Sequence, residues 1–141
     1  MELRLRPQLE ALDGLNQASI DLDPLLHRLA EHLNEHQPRP ALVHGDLWGG
    51  NAASLADGRG SIFDPASWWA DREVDLAMTQ LFGGFGEDFR SAYRTVLPEV
   101  PGADGRVEIY NLYHLLNHAN LFGGSYVSQC RTSLRELARR L

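Results

Sequence analysis

His44-Gly45-Asp46-Leu47-Trp48-Gly49-Gly50-Asn51, followed a short distance on by Ile62-Phe63-Asp64-Pro65, is the stretch on which the reading of this sequence turns. Each half begins as a brief apolar run, Ala41 to Val43 and Ile62-Phe63, and ends in a loop that carries an acid. Asp57-Gly58 between them is a turn signal, so the pair predicts a small β-hairpin region with acidic loops. On either side the apolar period becomes helical. Asp23 followed by Pro24 reads as a cap with proline at the first helical position, and Leu25, Leu26, Leu29 and Leu33 then recur until Pro38 and Pro40, which ends the helix near Gln37. Downstream, Asp71 caps a stripe of Val74, Ala77, Met78, Leu81 and Phe82 that stops at Gly83-Gly84. Further helices are expected over Glu87 to Val96, from Asp104 to Phe122 with apolar residues on more than one face, and after Gly123-Gly124 to the arginine-rich end.

The chain has 141 residues and a formal net charge of −6. That length suits one compact domain spanning 1–141. The acidic balance disfavours a general binder of nucleic acid or of anionic membrane, since phosphate backbones would be repelled. Hydrophobic residues at 43% and charged residues at 23% are those of a folding sequence, not a disordered one. The single cysteine, Cys130, cannot form an internal disulfide, and no apolar run approaches a spanning helix or a signal peptide. A cytoplasmic location is the expectation.

Phosphoryl transfer to a hydroxyl needs a carboxylate near the attacking oxygen and hard oxygen ligands that hold magnesium on the triphosphate. Asp46, Asn51 and Asp64 supply these types in the order used by kinase catalytic loops, and the interval from Asp46 to Asn51 equals that in H-R-D-L-x-x-x-N. One Asn and one Asp suffice, because magnesium takes few ligands from protein and the rest from phosphates and water.

The chain resembles the C-terminal lobe of the fructosamine kinase (ketosamine kinase) family, within the aminoglycoside-phosphotransferase and protein-kinase-like fold. The similarity runs from Leu42-Val43-His44-Gly45-Asp46-Leu47-Trp48-Gly49-Gly50-Asn51 through Ile62-Phe63-Asp64-Pro65-Ala66 and Arg72-Glu73-Val74-Asp75-Leu76-Ala77-Met78. It continues in Phe82-Gly83-Gly84-Phe85 and Tyr113-His114-Leu115-Leu116-Asn117-His118. The fold expected is mainly α-helical with a small β-hairpin. The resemblance implies ATP and magnesium as cofactors, Asp46 as catalytic base, Asn51 and Asp64 as magnesium ligands, and a ketosamine or glycated amine as acceptor. Kinases of this kind also carry a preceding lobe with a glycine-rich loop and a phosphate-pairing lysine, whereas this sequence has no G-x-G-x-x-G and no lysine. The expectation is therefore that the N-terminal lobe is absent from the chain, and that activity alone is weak or nil. A rival reading is a non-catalytic binding or interaction module that pairs with a separate N-terminal lobe or with itself.

Several residues admit a plainer role. His44 is expected to brace the loop by hydrogen bonding, and Glu73 and Asp75 to brace a helix start. Trp48 fits equally a packing role and a flat surface for stacking a sugar-like substrate. Trp68-Trp69 is more simply packing under a loop, and Cys130 is expected to be unreactive.

Overall fold

Ala41–Val43 forms a first strand, β1, too short to stand alone, and it pairs antiparallel with Trp68–Ala70 in the register Val43↔Trp68 and Leu42↔Trp69. A second antiparallel pair joins Ala52–Ser54 (β2) to Gly60–Ile62 (β3), with Ala52 opposite Ile62, and Trp68–Ala70 is thus β4. The hairpin expected around Asp57-Gly58 is present as β2–β3. Ala41–Val43 lies outside it, because the chain leaves β3 through Asp64-Pro65, where proline removes a ladder donor, and the β-favouring Trp68-Trp69 returns alongside β1.

The computed structural model describes residues 2–12 and 20–141. The helices are α1 (Glu2–Ala11), α2 (Leu22–His36), α3 (Glu73–Leu81), α4 (Glu87–Val96), α5 (Ala103–Phe122) and α6 (Ser125–Arg140). The last four match the sequence expectation to within a residue or two. Two helices differ from it. α1, which periodicity does not announce, tolerates Pro7 within it. α2 begins at Leu22 behind Asp21, placing Pro24 within the first turn, where a missing N–H removes no helical bond. Asp23 caps nothing and instead receives the Arg6 guanidinium at 2.7 Å. Its far end is a left-handed Gln37 (φ 43°), after which Pro38 forbids continuation.

The contacts group the chain into two compact units, Met1–Gln37 with Glu108–Leu141, and Pro38–Val107. In the first, helical stripes bury Leu5, Leu25, Leu29, Leu112, Leu116, Leu134 and Leu137. Asn120 on α5 donates to the Gln8 carbonyl on α1 at 2.9 Å, and Arg140 on α6 pairs with Glu108 on α5 at 2.8 Å. Burial raises the Glu108 carboxyl above its ordinary range, against the pull of Arg140. In the second unit the buried apolar residues are Val43 and Leu47 in and after β1 and Val74, Ala77 and Met78 on α3. Among the described residues no helix is long and apolar enough to cross a membrane.

Candidate active site

The second unit gathers the whole two-part motif. Pairing of β1 with β4 sets the loop that follows Val43 beside the loop that precedes Trp68, and the Ala66 amide donates to the His44 carbonyl at 2.9 Å. Pairing of β2 with β3 sets Asn51 opposite Phe63, whose amide donates to the Asn51 carbonyl at 3.1 Å. Sheet register therefore joins the segment of Asp46 and Asn51 to the segment of Asp64 through main-chain bonds on both sides of the acid. Such bonds hold position without depending on side-chain packing.

His44 is buried and braces this junction, as its place in the sequence suggests. Its Nδ1 accepts the Asp46 amide at 3.3 Å and its Nε2 meets the Phe63 carbonyl at 2.9 Å. A ring nitrogen that accepts from N–H and another that must donate to C=O are both satisfied by the tautomer with its proton on Nε2.

Asn51 is buried, and its side-chain amide donates to both the carbonyl and Oδ2 of Asp46, each at 2.9 Å. Both partners are acceptors, so Nδ2 must face them and Oδ1 is turned elsewhere. The half-buried Asp46 is thus fixed through one carboxylate oxygen. Asp64 is exposed and adopts a left-handed backbone, φ 56°, a conformation uncommon for a residue with a side chain. The main-chain bonds at Phe63 and Ala66 hold it there.

Trp48 is 40% exposed, and its ring lies over the backbone of Gly50, where a Cβ would fall 2.3 Å from the ring carbons. That glycine is needed for a flat indole to rest on its own loop while keeping an open face. Gly45 is needed for a different reason: φ is 83°, and a Cβ there would stand 2.2 Å from the Ala66 carbonyl oxygen. Trp68 and Trp69 are strand residues, and Trp69, opposite Leu42, is 69% exposed, so packing under a loop does not describe it.

Two acids expected to brace the start of α3 do other work. Asp75 reaches away from its helix to the loop that follows β1, where Oδ2 accepts the His44 amide at 2.7 Å and Oδ1 the Gly45 amide at 2.9 Å. Glu73 forms a buried two-pronged ion pair with Arg106, at 2.6 and 2.7 Å, and Arg106 also donates to the Pro101 carbonyl. The α3 amide at Glu73 is met instead by Asp71 Oδ1 at 3.0 Å. Sequence spacing alone could single out Glu73 and Asp75 but not their partners, which lie some thirty residues away in the chain. Gly84 is a further contributor that spacing does not disclose: it abuts Gly49 backbone to backbone, and the Gly49 amide donates to the Gly83 carbonyl at 3.3 Å.

Comparison with known proteins places the chain in a family. The model of the family described as fructosamine kinase matches residues 1–140. A probable ketoamine kinase of Vibrio parahaemolyticus is 46% identical over 136 residues, 96% of this chain and 47% of that protein. The ketosamine-3-kinase of Mus musculus is 37% identical over 139 residues, covering 96% of this chain and 45% of its own length. A crystal structure of a candidate fructosamine-3-kinase from Thermobifida fusca superposes with a TM-score of 0.74 at 34% identity, over 96% of this chain and 47% of that one. The chain thus spans about half the length of the relatives it matches. With the motif and its surroundings both accounted for over nearly every residue, the chain belongs to the fructosamine kinase family.

Proposed function

We propose that this chain carries the catalytic loop of an ATP-dependent kinase acting on the sugar hydroxyl of a ketosamine or other glycated amine. The observation that carries the reading is the Asn51–Asp46 bond within a loop held by His44 and Asp75. It leaves one Asp46 oxygen to orient the attacking hydroxyl and accept its proton, as phosphoryl transfer requires.

Magnesium fits the donor set. Asn51 Oδ1 and the Asp64 carboxylate are hard oxygens, and Asn51 is oriented by its Asp46 contact so that its oxygen, not its nitrogen, is offered. Bound there with ATP, magnesium would neutralise charge on the transferring phosphate. The open face of Trp48 suits stacking against a sugar ring beside the base. The chain's own residues otherwise supply position: Asp75 and His44 fix the loop that carries the base, and the two sheets fix its distance from Asp64. A lysine to pair with the phosphates would have to come from outside these residues, since the sequence has none. A further polypeptide segment would supply it, and activity of the chain alone would be low. The reaction is placed in the cytoplasm, where ATP and magnesium are both at hand.

Phosphorus NMR of the chain with magnesium-ATP and a simple fructosamine tests this reading, with Asp46→Asn as control. A new sugar phosphate from the wild type and none from Asp46→Asn is the expected result, at low rate. Equal product from both proteins overturns the role of Asp46. A folded chain that gives no product, and whose ATP signals are unmoved with magnesium, favours the interaction-module reading instead.

A further inference from the structure

The second unit carries an open groove of about 470 Å³ that the site described so far does not use. It is lined by the β2–β3 hairpin, with Ala53, Ser61 and Ile62, and by Phe85 and Phe89, whose rings meet at a tilt of 58° with 4.7 Å between centroids. Its end is closed by the contact between Gly49 and Gly84, where a Cβ on Gly84 would fall 2.4 Å from Gly49 Cα. Gly49 lies between Asp46 and Asn51 in the catalytic loop. The groove therefore begins on the loop that holds the base.

The lining decides what can enter. Among the described residues no charged side chain lines the groove, and its side-chain polar groups are serine hydroxyls. A triphosphate would find no cation, and a polyhydroxyl sugar would leave most of its hydroxyls unpaired. A neutral apolar group fits, because Ile62 is 60% exposed and two phenyl rings face an open space. A ketosamine has two ends of unlike chemistry: the sugar, which bears the reacting hydroxyl, and the substituent on its amine. With the hydroxyl at Asp46, the end left to lie beyond the loop is the amine substituent.

Resting on the kinase reading, we propose that this groove is a specificity subsite for an apolar or aromatic substituent on the amine of the ketosamine acceptor, with Phe85 and Phe89 as its recognition wall. The Gly49–Gly83 main-chain bond ties that wall to the catalytic loop, so an acceptor seated in the groove is positioned relative to Asp46 by backbone rather than by flexible side chains.

Calorimetric titration of the chain with the fructose adducts of benzylamine and of glycine, and with adenosine, tests the subsite. The benzylamine adduct is expected to bind roughly tenfold more tightly than the glycine adduct, as burial of one phenyl ring allows. Phe89→Ala should abolish the preference. Ala53→Leu, on an exposed strand position where folding is not at risk, should do so by filling the groove. Equal binding of the two adducts by wild type, or a preference that survives both variants, overturns the proposal. So does an equal loss of adenosine affinity in both variants, which would assign the groove to the nucleotide base. Asp46-dependent phosphotransfer without a benzyl preference overturns the subsite and leaves the kinase reading standing. A benzyl preference in a folded chain that gives no product and whose ATP signals are unmoved with magnesium overturns the kinase reading and leaves only a binding groove for the apolar substituent, and failure of both adducts to bind overturns both.

Discussion

The two units of this chain are held together by different chemistry. In the helical unit, leucines from α1, α2, α5 and α6 fill most of an interior that also holds Asn111, His114 and Ser133, and charged contacts such as Arg6–Asp23 lie at the surface. In the unit that carries the His44–Asn51 loop, a few apolar residues share the interior with His44, Asn51, Asp71, Glu73 and Arg106. The first kind of interior tolerates approximation, since leucine packing is non-directional and can relax around a change. The second does not, because each buried polar group is satisfied by a particular partner and an orphan costs more than the bond contributes. A site that must place a carboxylate to within a fraction of an ångström is built from the directional kind.

The most damaging change should fall on the polar interior. Glu73→Ala strands the Arg106 guanidinium in a buried position, which costs roughly 3–5 kcal/mol. Joint replacement of Glu73 and Arg106 by Leu and Met should recover most of that loss, because what destabilises is the unpaired charge and not the absence of the pair. Urea denaturation of the single and double variants measures both. A double variant as unstable as the single one would show that the pair itself, and not the stranded charge, governs stability.

Leu116→Ala in the helical unit sets the comparison from the other side. Leu116 is fully buried in α5, and truncation there should cost about 2–5 kcal/mol, with the value set by how far its neighbours collapse into the space. Adding a polar change in the other unit should leave the two costs additive, since the residues share no partner. A coupling above about 1 kcal/mol in the double-variant cycle would join the two interiors energetically.

This difference also governs what a reader of the sequence alone can recover. α3 to α6 were legible because 3.6-residue stripes and glycine stops are local signals. The acidic motif was legible through the types and spacing of Asp46, Asn51 and Asp64. α1 was not, since Pro7 interrupts the only periodic stretch there, and β4 was not, since Trp68-Trp69 pairs with a strand more than twenty residues earlier. Asp75 and Glu73 could be noticed as acids near a helix start but were assigned the nearest amides. Their actual partners, His44, Gly45 and Arg106, are set by tertiary geometry that no local pattern encodes. Register is the missing information: one strand pairing determines which loop faces which.

Asp75 separates stability from function within the polar unit. Asp75→Ala removes the acceptor of two loop amides, which should cost about 1–3 kcal/mol in unfolding free energy. On the kinase reading it should lower phosphotransfer about a hundredfold, because a loop freed to shift by an ångström misplaces the base. Asp75→Asn, which keeps one acceptor, should restore stability more than activity. A variant that loses stability with its rate unchanged would show that the loop is held by His44 and the sheets alone.

The smallest effect belongs to Cys130, fully buried in the helical unit, where loss of solvation pushes its thiol up to about 11. The folded chain keeps that proton at a pH where the unfolded chain, with an ordinary cysteine near 8.5, has given it up. The unfolded state thus binds fewer protons over that interval, and stability falls as pH rises from about 8.5 towards 11. Measured as the difference between wild type and Cys130→Ala, so that other titrations cancel, the wild type should lose about 1 kcal/mol between pH 7.5 and pH 9. Labelling of the thiol by a disulfide reagent at pH 8 should track global unfolding for the same reason. Rapid labelling of the folded chain would mean that α6 opens locally, and that the leucine-packed unit is the more mobile of the two.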